Sequence, residues 1–221
     1  VSKDGYKYSK ISEYLGEILV VSFTNSDMLN LLGTIRERRK IIEPIICQIS
    51  KFYTDECNSY KKLLNERNAL LKRLIFENND KLMNLLKIID LQIVDCAKNI
   101  IFERDNFIQK VNKKIKQYHL QISENKEILE IKYAPSVSSE KFLERLNSCL
   151  EEDLKRGSTS YGPHKDDYVF IINNKNITLY GSQGQQRSSL VSTKLAFVEI
   201  LKEEKGEYPV LLLDDVLSDL D

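Results

Sequence analysis

Two short stretches near the carboxyl end hold the residue types that do phosphate and metal chemistry. The first is Gly181-Ser182-Gln183-Gly184-Gln185-Gln186-Arg187-Ser188. Small residues and a hydroxyl ahead of a long helix leave backbone N–H groups free, and the helix dipole favours an anion there. Ser182 adds a donor, although the same pattern fits a polar loop with a serine cap. The second is Val210-Leu211-Leu212-Leu213-Asp214-Asp215, followed by Ser218-Asp219-Leu220-Asp221. Four apolar residues place Asp214 at the carboxyl end of a buried strand, outside which ligands bind in open α/β sheets. A carboxylate there can hold Mg²⁺ directly or through water, with phosphate oxygens completing the shell. Asp215, one residue on, points elsewhere and can orient or polarise an attacking water. Two aspartates can also do no more than end a strand. The combination is more specific, because one helix, one turn and one strand join Ser182 to Asp214.

Other candidates are weaker. His164 beside Asp166 and Asp167 suggests a metal, but one histidine and two acids fall short of a zinc or catalytic set, and a structural turn is expected. Cys47, Cys57, Cys96 and Cys149 form no CxxC pair, so reduced structural cysteines are expected. The basic run Arg36 to Lys40 and the cluster Lys110, Lys113, Lys114, Lys116 could touch phosphate, but charge runs are usually solvated or internally paired. No GxxxxGK[ST] loop occurs. One acid pair and one anion-binding helix end should therefore bind ATP poorly and give negligible hydrolysis.

The elements that must position these residues follow from periodicity. Val1 to Ile11 suggests a small hairpin around Asp4-Gly5, and Ile18 to Phe23 a buried strand. Apolar residues at three- and four-residue steps from Leu29 to Leu74 predict helices, with Pro44 marking a boundary or kink. Leu82, Leu86, Ile89, Ile93, Ala97, Ile100, Ile108, Val111, Ile115 and Tyr118 form one stripe, interrupted at Arg104 where Phe107 can cover the gap. A coiled-coil arm is conceivable, but no heptad is held cleanly, so packing within a helical lobe is expected. A strand over 127–133, a helix from Ser138, a hairpin pairing 168–172 with 177–180, a helix over 188–205 and a buried strand over 210–213 complete the reading.

At this point a family resemblance emerges. Gly162-Pro163-His164-Lys165-Asp166-Asp167, the Gly181 to Arg187 loop, and Leu211 to Asp221 resemble the RecF family of DNA replication and repair proteins in order and spacing. Ile11 to Gly16, Arg36 to Lys40 and Leu63 to Leu71 resemble it more loosely. The resemblance implies an α/β fold: a fragment of an ABC/SMC-type ATPase head with a mostly helical lobe inserted between strands. It implies the end of N-terminal ATPase-lobe strands over 1–25 and the helical lobe over 26–125. Strands and a helix leading to the signature follow over 126–180, then the signature helix, Walker B strand and start of the D-loop over 181–221. Ser182, Gln183, Gly184 and Gln185 would contact the nucleotide held by a second subunit, Asp214 would serve Mg²⁺, and Asp215 would position the hydrolytic water. Ser218, Asp219, Leu220 and Asp221 would form the D-loop. ATP and Mg²⁺ would be the cofactors. The implied partners are double-stranded or gapped DNA, a second copy in an ATP-dependent dimer, and mediator proteins of the RecO/RecR type. Gln183 stands where many ABC signatures carry glycine, and Thr24 to Asp27 departs from the family pattern, so no Q-loop residue is assigned.

Bulk properties set the outer limits. Formal charge is zero, so any DNA contact must be a local patch. No apolar run reaches the roughly 20 residues that span a bilayer, and the polar start lacks a signal peptide, which together suggest a cytoplasmic protein. The chain reads as an internal fragment. Two alternatives stay open: a non-enzymatic helical interaction module, or a head fragment of another SMC-like repair protein such as RecN. Long arms, expected of the latter, have little room between the early strand and the next.

Overall fold

The computed structural model describes residues 16–77 and 79–214, and the backbone of 2–3 and 6–7. Asp215 and Ser218 to Asp221 lie outside the described residues, as does most of Ile11 to Gly16. The chain divides into two compact units. One comprises Val1–Lys51, Arg104–Ala134 and Asp167–Asp221; the other comprises Phe52–Glu103 and Pro135–Asp166.

In the first unit, β1 (Ser2–Lys3) and β2 (Tyr6–Lys7) pair antiparallel, as the expected small hairpin. β3 (Val20–Phe23) alternates, burying Val21 and Phe23. It leads through Thr24 into α1 (Asn25–Leu32) and then α2 (Ile35–Ile49). Thr24 and Thr34 each stand three residues ahead of an acid, and Asp27 and Glu37 reach back to the capping backbone N–H at 2.9 and 2.6 Å. Pro44 lies inside α2 rather than at its edge. Two other helices follow in sequence: α3 (Lys51–Leu74) and α4 (Asp80–Ile122).

α4 contributes residues 80–103 to the second unit and 104–122 to the first. Its stripe is buried from Leu82 to Ile115, as packing in a lobe requires. Arg104 is buried rather than looped out, with Nη2 2.5 Å from Glu43 Oε1, and Phe107 packs against Phe197 with ring centroids 5.8 Å apart. β4 (Leu129–Ala134) and β5 (Asp167–Ile172) pair antiparallel over their full length, Leu129 opposite Ile172.

The expected second strand of the following hairpin is a correction. Beyond the turn that follows β5 only the two residues of β6 (Lys175–Asn176) pair back onto it, and 177–180 forms the short helix α7 (Ile177–Tyr180). Asn173 and Asn174 both take positive φ, 46° and 66°, which suits a two-residue turn. Asn176 Oδ1 then accepts the Thr178 N–H at 2.9 Å and caps a helix where alternation had suggested a strand. α8 (Gln183–Lys205) begins five residues earlier than the apolar period predicts, and Gly206 closes it at φ 81°. β7 (Val210–Leu213) pairs parallel with β3, Val20 opposite Val210 and Phe23 opposite Leu213. Its expected burial is also corrected: its four side chains are 46–58% exposed. Among the described residues β3 is its only strand neighbour.

In the second unit, α5 (Phe142–Ser148) and α6 (Leu150–Arg156) break at Cys149. Arg67 of α3 is fully buried there, with Nε 2.6 Å from Asp90 and Nη1 2.7 Å from Asp153. Burial outweighs the Arg67 hydrogen bond at Asp90 and raises that carboxyl above its ordinary range.

Candidate functional site

The open end of α8 is the site's centre. Ser182 is its N-cap. The Ser182 hydroxyl oxygen accepts the Gln185 N–H at 3.2 Å, and the Gln185 side-chain oxygen accepts the Ser182 N–H at 3.0 Å. This reciprocal pair spends two groups of the first turn. Gln183 and Gly184 keep the free N–H groups that every helix start presents. Among the described residues the Ser182 hydroxyl hydrogen has no acceptor, and the loop is largely exposed.

The two glycines of the loop differ in kind. A Cβ at Gly181 would stand 2.6 Å from the Ile177 carbonyl oxygen, so Gly181 is demanded by the chain itself. A Cβ at Gly184 would meet only Ser182 Oγ, at 3.8 Å. Nothing among the described residues asks for glycine there, although glycine in a helix costs up to about 1 kcal/mol relative to alanine.

Two polar connections behind the loop escape sequence reasoning. Gln185 Nε2 donates to Glu127 Oε1 at 2.8 Å, and the other oxygen of Glu127 lies 3.3 Å from Nε2 of His119. His119 is fully buried, its Nδ1 3.0 Å from the Ser192 hydroxyl, and burial holds its pKa below the ordinary value. The second connection is a buried ion pair, Lys194 Nζ to Asp27 Oδ1 at 2.8 Å, which fastens α8 to the start of α1. A lysine on an apolar stripe and a Thr-x-x-Asp pattern were visible signals for its two ends, but nothing in the spacing joins residues so far apart. The same holds for His119 and Gln185.

Asp214 is where the strand reading put it. Its N–H donates to the Phe23 carbonyl at 3.0 Å, so it continues the parallel ladder just past β7, and its side chain is exposed. One exposed carboxylate does not hold a cation alone, and no group of three His, Cys, Asp or Glu that could do so occurs among the described residues. A magnesium ion brought by phosphate oxygens and water needs only one or two such carboxylates, which Asp214 fits.

No family model matches the chain. It is 41% identical to the DNA replication and repair protein RecF of Lachnoclostridium phytofermentans, over all of this chain and 61% of that protein. It is 40% identical to the protein of the same description from Acetivibrio thermocellus, over 96% of this chain and 60% of that one. A solved structure of the recombination mediator protein RecF with ATPrS, described as of the RecFOR pathway, matches with a TM-score of 0.90 and 36% identity over 99% of this chain. The chain is a RecF-family sequence. It spans about 60% of the length of these relatives. A RecF-ATP structure matches equally well, and the mixed fold with a helical lobe is that of the RecF fragment.

The Gly162 to Asp167 stretch, which also carried the RecF resemblance, is closed. His164 Nδ1 lies 2.8 Å from the Tyr60 hydroxyl and Nε2 3.2 Å from the Thr159 carbonyl, so Nε2–H donates and Nδ1 accepts, leaving neither nitrogen for a metal. Asp166 is buried and accepts the Ser136 N–H at 2.8 Å. Asp167 takes a bidentate Arg38 guanidinium, both contacts 2.7 Å. Of the basic run, Arg36, Arg39 and Lys40 line a cavity of about 330 Å³ with Glu43, Pro44 and Cys47. In the second basic cluster Lys110 pairs with Glu204, and Lys114 with Glu199 and Glu203. Hydrogen bonds from Tyr118 and Lys114 hold the Glu199 carboxyl below its ordinary range, and the Tyr118 hydroxyl is pushed up to about 12. No helix of the described residues is long and apolar enough to cross a membrane.

Proposed function

We propose that this chain is part of a RecF-type ATPase that acts in DNA repair. On this reading it binds double-stranded or gapped DNA as an ATP-dependent dimer of two copies, works with RecO/RecR-type mediators and promotes recombinase loading. Ser182, Gln183, Gly184 and Gln185 form the loop that meets a nucleotide held by the second copy. Asp214 serves Mg²⁺, Asp215 positions the attacking water, and Ser218 to Asp221 run along the dimer contact. The observation that carries the reading is Gly184, a glycine that no neighbour among the described residues requires, two residues from a hydroxyl hydrogen with no acceptor among them. A phosphate approaching the backbone from outside supplies the missing requirement. Magnesium supplies charge neutralisation of the phosphate oxygens when bound; the chain's part is to offer Asp214 at a fixed strand end.

Because the chain has no GxxxxGK[ST] loop, it supplies one wall of the nucleotide site and is inactive by itself. ATP turnover in the presence of double-stranded DNA tests this, comparing the chain, the full-length protein, and full-length Ser182→Arg. Turnover by the full-length protein alone, lost in Ser182→Arg while ATP still binds, is the expected result. Failure of every folded form to bind ATP would remove the ATPase reading and promote a non-enzymatic interaction module.

A further inference from the structure

We infer that Glu127 is a positioning residue for the Ser182 loop: it acts through Gln185 and is itself held by His119. This rests on the nucleotide-contact reading of Ser182. The Gln185 side chain can face either of two ways, and its two contacts choose between them. With its oxygen 3.0 Å from the Ser182 N–H and its nitrogen 2.8 Å from Glu127 Oε1, both bonds form. Flipped, the amide would put N–H against N–H and oxygen against carboxylate. The acceptor oxygen that Glu127 offers to Gln185 therefore decides whether the Ser182 N–H has an acceptor, and so where the hydroxyl of Ser182 sits.

Glu127 is suited to that task and to little else in view. It is half-buried, and among the described residues no lysine or arginine pairs with it. Its carboxylate is spent on two donors, Gln185 Nε2 and His119 Nε2. A carboxylate near an anion-binding helix end weakens the anion's electrostatic welcome, so its placement is explained by geometry rather than by charge.

His119 completes the arrangement. An ionised carboxylate only accepts hydrogen bonds, so the Nε2 facing it carries the proton. Burial holds the pKa of the ring below its ordinary value, and Nδ1 lies 3.0 Å from the Ser192 hydroxyl oxygen, whose own hydrogen goes to the Ser188 carbonyl at 2.7 Å. Ser192 belongs to α8, so the histidine is fixed by the same helix whose first turn Glu127 steadies.

Glu127→Gln and Glu127→Ala separate this role from a merely structural one. The amide of Glu127→Gln can still accept from Gln185 while donating to His119 Nε2. The ring then accepts at Nε2 and carries its proton on Nδ1, which donates to Ser192 Oγ while that hydroxyl keeps its bond to the Ser188 carbonyl at 2.7 Å. In the full-length protein with double-stranded DNA, Glu127→Ala should lower kcat on the order of tenfold, as expected for losing one charge-assisted hydrogen bond, with KM for ATP unchanged. Glu127→Gln should restore kcat to within about threefold. Histidine-selective ¹⁵N NMR should report Nε2 of His119 as protonated in the parent, where it faces a carboxylate, and as unprotonated in Glu127→Gln, where it faces an amide N–H. A parent-like kcat for Glu127→Ala beside an inactive Ser182→Arg would overturn the inference and leave the nucleotide reading standing. Full turnover by Ser182→Arg would instead overturn that reading. An Nε2 of His119 that stays protonated in Glu127→Gln, or no recovery of kcat by that variant, would also overturn the positioning role.

Discussion

Two glycine-containing motifs of similar length behave in opposite ways. The Gly162 to Asp167 stretch spends its polar groups inward. His164 uses both nitrogens, Asp166 is buried on the Ser136 N–H, and Asp167 is clasped by Arg38. The Gly181 to Gln185 loop spends its capping pair, the Gly181 backbone and the Gln185 amide inward, but among the described residues leaves Gln183, Gly184 and the Ser182 hydroxyl hydrogen open. Motif chemistry by residue type would favour the first as the metal or catalytic site, since it has a histidine and two acids. The geometry favours the second as the place a ligand can act. A functional group is available only when the fold has not already used it.

The closed motif rests on Arg67, and removing that residue should give the largest effect. Arg67 Nη1 donates to the Thr159 hydroxyl at 2.8 Å, and the Thr159 carbonyl accepts from His164. Arg67→Met would leave Asp90 and Asp153 buried without their cation, a loss of about 3–5 kcal/mol for a broken buried pair. Chemical denaturation reads this directly. A loss below about 1 kcal/mol would mean that these carboxylates find water or protons instead. The raised Asp90 pKa already points in the direction of protonation.

The glycines give the sharpest contrast. Gly162 has φ 128°, and a Cβ there would lie 2.8 Å from Phe142 Cζ and closer still to the Tyr60 hydroxyl. Gly162→Ala should destabilise by about 2–4 kcal/mol through backbone strain and overpacking. Gly184→Ala should leave thermal unfolding within about 1 kcal/mol of the parent, since alanine is the better helix former and the space is open. Its expected effect is on ATP turnover in the full-length protein, lowered without loss of fold. Equal destabilisation by both substitutions would erase the distinction between the motifs.

Much of this was legible beforehand, for reasons that differ by element. The α4 stripe and the β3 and β7 runs are strong periodic signals, and the Ser182 to Asp214 spacing is local, so helix, strand and loop could be placed from residue types alone. The 177–180 segment misled because its alternation mimics a strand, while the two positive-φ asparagines turn the chain early and Asn176 caps a helix. β7 reads as a buried strand because Val210 to Leu213 is wholly apolar, yet burial depends on neighbours that residue type does not reveal. The Lys194–Asp27 pair and the His119–Glu127–Gln185 chain were illegible for the same reason. Each joins residues from separate elements whose approach is fixed only by packing.

The smallest expected effect tests the link between the open loop and the buried histidine behind it. His119 faces Glu127 and the Ser192 hydroxyl, with burial the main influence on its pKa and Glu127 opposing it. Its folded pKa lies below the unfolded value of about 6.5, so the unfolded chain binds the proton more readily. The associated stability is therefore fully present above about pH 6.5 and is lost as pH falls from there through the folded pKa. One histidine contributes at most about 1.4 kcal/mol per pH unit. Urea midpoints of the parent and His119→Gln across pH 5 to 8 isolate it, because the substitution removes the titrating group while an amide can still donate to Glu127. The parent should lose stability relative to His119→Gln as pH drops below about 6.5, and the two curves should run parallel above it. A gap that widens toward alkaline pH would mean that Glu127 dominates burial and that the ring is held as its cation.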